Sequence, residues 1–239
     1  MRLLRDDGPL IRVGHRGAAA LAPANTLRSF ELALSHGVDA IEFDVVDAGE
    51  GPLMVAHSVT ELTTEHPTLD EAVEFLAARD VGLHVDLKLT TRLDEVARTL
   101  DRHGVAGRSV VSSFHRPSLH ALAGHAPHVR IGFTYPEDRY GVSKRRGFQP
   151  AIRVGTIALR RAIVARVPGM IARAGATALM LHHAVVSAGA VERAHRAGAA
   201  VWAWTVDDPA ELARVEAAGV DAVITNDPSL FGGPATLPA

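Results

Sequence analysis

The sequence predicts a closed (β/α)8 barrel in the α/β class, a single domain, on three observations. Short β-type runs alternate with helical periods almost throughout, an order that joins parallel strands through crossover helices. Eight such units fall within 239 residues, a length that suits a closed barrel better than an open sheet. Charged side chains recur at every second position of two of the runs, as expected where one face of a strand lines a site.

Taken in order, strands are expected at residues 11–15, 40–46, 82–88, 109–113, 130–134, 177–182, 200–206 and 222–225. Helical periods lie at 27–36, 69–79, 93–103, 117–124, 158–174, 188–197 and 209–218. Asn25 or Thr26 can cap the first helix, which turns Leu27, Phe30 and Leu34 to one side and stops at Gly37. Later helices also run into glycine, at Gly198 and Gly219. The rhythm breaks at residues 135–156, polar and basic with Lys144-Arg145-Arg146-Gly147, which predicts a long loop after the fifth strand. The Gly/Pro-bearing tail, residues 232–239, is expected to fray.

Composition narrows the function classes. Hydrophobic residues make up 47% and charged residues 22%, which is globular composition and excludes disorder. A net charge of −2 and a pI near 6.7 give no electrostatic footprint for nucleic acid. The absence of cysteine excludes disulfides, thiolate metal sites and a cysteine nucleophile. No run approaches the roughly 18 apolar residues of a membrane span, and the first seven residues hold no apolar stretch, so the expected location is cytoplasmic.

The second strand, Ala40-Ile-Glu-Phe-Asp-Val-Val46, puts Glu42 and Asp44 on one face and Ile41, Phe43 and Val45 on the other. Two carboxylates inside a barrel repel unless positive charge lies between them, and a bound cation is the simplest source. The third strand repeats the pattern, with His84, Asp86 and Lys88 on one face. A salt-bridge network at the barrel end would explain the same pattern. Oxygen ligands without cysteine point to Mg2+ or Ca2+ rather than Zn2+. His15 and His57 sit where strands run into loops, the end of such barrels where active sites lie, and can act as acid and base. Arg16 is suited to clamping a phosphate oxygen, or to a strand-end ion pair.

His15-Arg-Gly17, Pro23-Ala-Asn-Thr26, Ser29-Phe30, the run from Gly37 to Asp44, and His57 together resemble the opening of the glycerophosphodiester phosphodiesterase family. Val85-Asp-Leu-Lys88, Val111-Ser-Ser-Phe114, Val201-Trp-Ala-Trp-Thr-Val206 and Gly219-Val-Asp-Ala-Val-Ile-Thr225 extend the likeness in the right order over nearly the whole chain. The resemblance implies a TIM barrel, one divalent cation, and hydrolysis of a glycerophosphodiester to an alcohol and glycerol phosphate. It implies that His15 and His57 are the acid/base pair, that Glu42, Asp44 and Asp86 are metal ligands, that Arg16 and Lys88 hold the phosphate, and that Trp204 lines the alcohol side. The implied partner is a small-molecule glycerophosphodiester or lysophospholipid.

The chain departs from the family's pattern in four places. Ala24 stands for the usual glutamate of Pro-Glu-Asn-Thr, Ser58 for the aspartate after the second histidine, and Asp86 for a glutamate one methylene longer. The stretch from His57 to Pro67 is brief where relatives carry an inserted subdomain, which implies a more open mouth. Two other readings fit the same residues. One is a lysophospholipase-D-like transphosphatidylation, in which the substrate's own hydroxyl attacks phosphorus and leaves a cyclic phosphate. The other is a non-catalytic barrel that binds phosphorylated ligands.

Overall fold

The computed structural model describes residues 1–5, 8–136 and 149–232, with side chains described in those ranges except at 149–157. Eight parallel strands close on themselves: β1 (Ile11–Gly14), β2 (Ala40–Val46), β4 (Gly82–Leu87), β5 (Ser109–Ser113), β6 (Arg130–Tyr135), β7 (Ala178–His182), β8 (Ala200–Trp204) and β9 (Ala222–Thr225). Pairing of β1 with both β2 and β9 shuts the barrel. A two-residue strand, β3 (Met54–Val55), runs antiparallel on the end of β2. It was not expected, because two residues carry no period. Among the described residues seven helices surround the sheet: α1 (Leu27–Ser35), α2 (Leu69–Ala77), α3 (Leu93–Arg102), α4 (Arg116–His125), α5 (Gln149–Ala174), α6 (Ala188–Arg196) and α7 (Pro209–Ala217).

All eight expected strands and seven expected helices are present, their ends within about two residues of expectation except at the start of α5. α5 begins at Gln149 and not at residue 158, so the end of the expected loop is helical. Residues 137–148 of that loop, and the tail from residue 233, lie outside the described residues. The insertion between β2 and α2 is short, as expected: beyond β3 it holds one 3-10 turn, Val59–Glu61.

Local chemistry explains the element ends. Thr26 caps α1, its hydroxyl accepting from Ser29 N at 3.2 Å while Ser29 Oγ accepts from Thr26 N. Thr68 and Glu71 form the same reciprocal pair at the start of α2.

Alternation along the strands sorts side chains into two cores. The outward faces meet the helices through Ile41, Phe43, Val45, Leu83, Val85 and their neighbours. The inward faces are graded from base to mouth. The base is dry, built from Ile11, Val13, Ala40, Val110, Ala178, Ala200, Trp202 and Ala222. Met1, Leu3 and Leu4 pack against it from below, and Leu3 O accepts from the Trp202 indole at 3.1 Å. Toward the mouth the inward positions become Glu42, Asp44, His84, Asp86, Ser112 and Thr134, all buried. The barrel therefore provides an apolar floor that ends in a group of buried polar side chains at the C-terminal mouth.

The turn from β1 into α1 passes beneath that mouth. Gly17 has φ +83°, and a Cβ there would lie 2.4 Å from Ser29 Oγ and 2.5 Å from Ser29 C. Gly37 also has positive φ, +71°, but with nothing within 4 Å. Gly17→Ala is expected to cost about 2–4 kcal/mol by clash plus backbone strain, and Gly37→Ala only about 1 kcal/mol from strain alone. Urea titration of the two variants checks the contrast. Equal losses would mean that close packing at Gly17 is not what demands glycine.

Candidate active site

β2 and β4 are neighbours in parallel register, with Glu42 opposite His84 and Asp44 opposite Asp86. The period-2 pattern thus becomes one buried cluster. Oxygen atoms of Glu42, Asp44 and Asp86 all lie within 4.8 Å of one another. At that separation two unit charges repel by about 3 kcal/mol at the effective dielectric of a protein, so the three carboxylates need positive charge close by.

Two side chains supply it. Lys88 Nζ lies 3.0 Å from Asp44 Oδ1 and also contacts Asp86 Oδ2, bridging the two aspartates. Arg16 Nε sits 2.9 Å from Asp44 Oδ2, a close ion pair whose N–H is not aligned for a hydrogen bond. Arg16 also gives its backbone N–H to Glu42 Oε2 at 2.8 Å, from a left-handed conformation with φ +51°. Asn25, likewise left-handed at φ +61°, holds Asp44 at two points: Nδ2 donates to Oδ2 at 3.0 Å, and Oδ1 accepts from Asp44 N at 3.1 Å. Strained backbone at two residues against one carboxylate cluster marks the place where geometry is over-determined.

The ionisation states follow. Burial, then the charges of Asp44 and Asp86, push the Glu42 carboxyl well above the usual range. Burial would raise Asp44 as well, but Lys88, Arg16 and the Asn25 amide outweigh it and hold Asp44 ionised below the usual range. Burial opposes the Lys88 charge, yet Asp86 and Asp44 dominate and keep it protonated above the ordinary lysine range. Asp86 is tied in on its other oxygen by Ser112 Oγ, and Thr134 Oγ1 lies 3.4 Å away. Ser112 Oγ in turn lies 2.8 Å from Nε2 of His84, a buried imidazole edge-on to Trp202. Burial lowers His84 to about 4, so it is neutral.

His15 follows β1 directly. Its Nδ1 lies 2.6 Å from Asn226 Oδ1, and its Nε2 faces Glu42 Oε2 at 3.8 Å. Asn226 is itself oriented by Asp207, whose Oδ2 accepts from Asn226 Nδ2 at 2.6 Å and whose Oδ1 accepts from Asn226 N at 2.8 Å. A carboxylate can only accept, so the amide nitrogen faces Asp207 and the amide oxygen faces His15. That assigns the proton to Nδ1 of His15 and leaves the Nε2 lone pair toward the pocket. Burial, then the charge of Arg16, lowers His15 to about 4 and keeps it neutral.

His57 comes from the short insertion, half-exposed, with Nδ1 3.2 Å from Glu61 Oε1. No hydrogen bond joins it to His15 among the described residues. Trp204, at the end of β8, meets Phe114 and His182 edge-on with ring centroids 5.9 and 5.0 Å apart. A cavity of about 180 Å3 collects all eight residues expected at the site: His15, Arg16, Glu42, Asp44, His57, Asp86, Lys88 and Trp204. The ammonium of Lys88 and the guanidinium of Arg16 both contact carboxylates there. Ala24 and Ser58 do not line this cavity.

Sequence reasoning missed Asn226, Asp207, Ser112 and His84's link to Ser112 as parts of the site. Only the inward-facing period of β5 carried a usable signal for Ser112. Asn226 and Asp207 sit in loops where turn-forming residues are ordinary.

A (β/α)8 barrel whose mouth gathers three carboxylates, two cationic side chains and three histidines in one cavity is built like a phosphodiester hydrolase. The chain belongs to the glycerophosphoryl diester phosphodiesterase family, whose model matches residues 15–77 and 63–230. It is 25% identical over 252 residues to a glycerophosphodiester phosphodiesterase of Caldanaerobacter subterraneus subsp. tengcongensis, covering 90% of this chain and 93% of that one. Two solved structures share the fold. A barrel from Silicibacter pomeroyi DSS-3 has a TM-score of 0.78 at 21% identity, over 98% of both chains. An Oleispira antarctica phosphodiesterase, solved with the product sn-glycerol-3-phosphate, has a TM-score of 0.71 at 21% identity, over 94% of this chain and 97% of that one. No helix among the described residues is long and apolar enough to cross a membrane.

The two depressed histidines make stability depend on pH. Unfolded, both take up protons below about 6.5; folded, both resist protonation down to about 4. The unfolded state therefore binds more protons in that window, and stability falls as pH drops from about 6.5 to 4. Each histidine contributes up to about 3 kcal/mol. His84→Gln is expected to flatten the slope measured by denaturation at a series of pH values in chelator. An unchanged slope would assign the dependence to other groups.

Proposed function

We propose that the protein hydrolyses a glycerophosphodiester to an alcohol and glycerol phosphate, using one Mg2+ or Ca2+ and two-histidine acid/base catalysis. The observation that carries this reading is that three buried carboxylates and both imidazoles line a single cavity. The names of the Caldanaerobacter and Oleispira relatives point to the same substrate class.

The donor set fits a hard divalent cation. Glu42, Asp44 and Asp86 offer carboxylate oxygens within reach of a common point, and Lys88 between two of them marks the need for positive charge there. When bound, the cation supplies positive charge against the non-bridging oxygens of the phosphoryl group.

The remaining work falls to the chain's own residues. Phosphodiester cleavage removes a proton from the attacking oxygen and returns one to the leaving oxygen on the opposite face of phosphorus, so two groups are needed. His15, neutral and with its Nε2 lone pair free, is the base that takes the proton from the attacking water. Asn226 and Asp207 fix that tautomer and the ring's orientation. His57 is the acid that returns a proton to the leaving oxygen, and the Glu61 carboxylate beside its Nδ1 orients the ring. Arg16 stabilises charge on the phosphoryl oxygens, and Trp204 with Phe114 forms an apolar wall for the alcohol.

His15→Ala and His57→Ala are each expected to lower kcat by about 10²–10⁴-fold with the fold intact, and the double variant to be little worse than the poorer single. Phosphorus NMR of the products in Mg2+, with a chelator control, separates the readings. A glycerol phosphate signal lost on chelation supports hydrolysis. A cyclic phosphate would mean the lysophospholipase-D-like path, and ligand binding without any turnover would leave a non-catalytic barrel. Near-wild-type turnover in His57→Ala would remove His57 from the mechanism.

A further inference from the structure

We infer that the barrel mouth carries a second, anion-binding subsite beside the catalytic cavity, and that the preferred substrate is a glycerophosphodiester whose leaving alcohol bears another phosphate. The inference rests on the phosphodiesterase reading above and names the substrate class of that site.

A second cavity of about 580 Å3 shares Phe114 and Thr134 with the catalytic one. Phe114 is the partition: half-buried, it lies edge-on to Trp204, and its ring centroid is 5.6 Å from Lys88 Nζ. Thr134 approaches Asp86 from the same side. A group joined to the scissile phosphate thus has only one ring to pass before it enters the second cavity.

Three arginines line that cavity: Arg116 at the start of α4, and Arg166 and Arg173 on α5. Arg166, Met170 and Arg173 are spaced i, i+4, i+7, so they form one stripe of the helix facing the cavity. Among the described residues no acidic side chain lines the space, and none of the three arginines makes an ion pair. Of the other described arginines, Arg92, Arg98, Arg102, Arg196 and Arg214 each have an acidic side chain as ion-pair partner. The α4 N-terminus beside Arg116 adds to the same potential, having no acidic residue in its first turn.

The chemistry of the occupant follows from that charge. Guanidinium forks match the oxygens of a phosphate group, and exposed like charges gain most from an anion that neutralises several at once. A cationic leaving group such as choline would enter against three positive charges. An uncharged polyol would gain little. A leaving group carrying a phosphodiester meets a complementary surface, and its attraction is screened by salt.

Three compounds test this: glycerophosphocholine, glycerophosphoglycerol and bis(glycerophospho)glycerol, whose leaving groups are cationic, neutral and anionic. At low ionic strength kcat/KM is expected to rise in that order. The bis compound should exceed glycerophosphoglycerol by about tenfold after allowance for its two scissile bonds, and the margin should shrink with added salt. In the protein carrying Arg116→Gln, Arg166→Gln and Arg173→Gln the ratio is expected to fall to about one. A wild-type ratio near one, or a ratio unchanged by the triple variant, overturns the subsite. Calorimetry with bis(glycerophospho)glycerol on His57→Ala protein, with and without the arginine substitutions, reads the cavity independently of turnover. Equal Kd values there also overturn it, whereas a several-fold weaker Kd in the arginine variant supports it. Failure of wild-type protein to cleave any of the three compounds would count against the phosphodiesterase reading and leave calorimetry to decide the subsite.

Discussion

The mouth of this barrel is organised by electrostatic repulsion among Glu42, Asp44 and Asp86, three carboxylates kept out of water at the top of a dry core. Everything around them reduces that repulsion. Lys88 bridges two of them, Arg16 turns through a left-handed backbone to reach a third contact, and Asn25 grips Asp44 from both ends of its amide. The turn that delivers Arg16 and Asn25 can exist only because Gly17 lets the chain pass against Ser29. Buried charge that is costly on its own is tolerated when its partners come from elements already held by the fold.

The same charge arrangement sets the histidines apart. His15 and His84 are both enclosed and neutral, but they play different parts. His84 lies deeper, against Trp202 and Ser112, and supports Asp86 through that serine. His15 is at the rim, with one nitrogen committed to Asn226 and the other turned toward the cluster. His57 stands outside, half-exposed beside Glu61. The three imidazoles thus meet the same cavity from separate elements and at different depths.

Much of this could be read from the sequence, for a physical reason. Strand periodicity is exact at two residues, so Glu42 and Asp44, and then His84, Asp86 and Lys88, declare a shared face before any coordinates are known. Helix caps such as Thr26 and Thr68 are equally local. What the sequence concealed is long-range or weakly patterned. Asn226 reaches His15 across 211 positions, and Ser112 reaches Asp86 across 26. Nothing in either local stretch marks those contacts. The start of α5 was hidden by Gly155 and by the basic run before it, although Pro150 at the first turn is the kind of signal that opens a helix. The three arginines of the second cavity come from two helices and look, one at a time, like ordinary solvated positions.

The central claim is that the carboxylate trio is a cation site. Anomalous diffraction from crystals soaked in Mn2+, an oxygen-seeking stand-in for Mg2+, tests it most directly. The account predicts one strong peak bounded by oxygens of Glu42, Asp44 and Asp86 at about 2.0–2.6 Å, with Lys88 displaced from between the aspartates. A peak elsewhere, or none at the trio while Lys88 still bridges Asp44 and Asp86, would contradict it and leave the cluster a salt-bridge network.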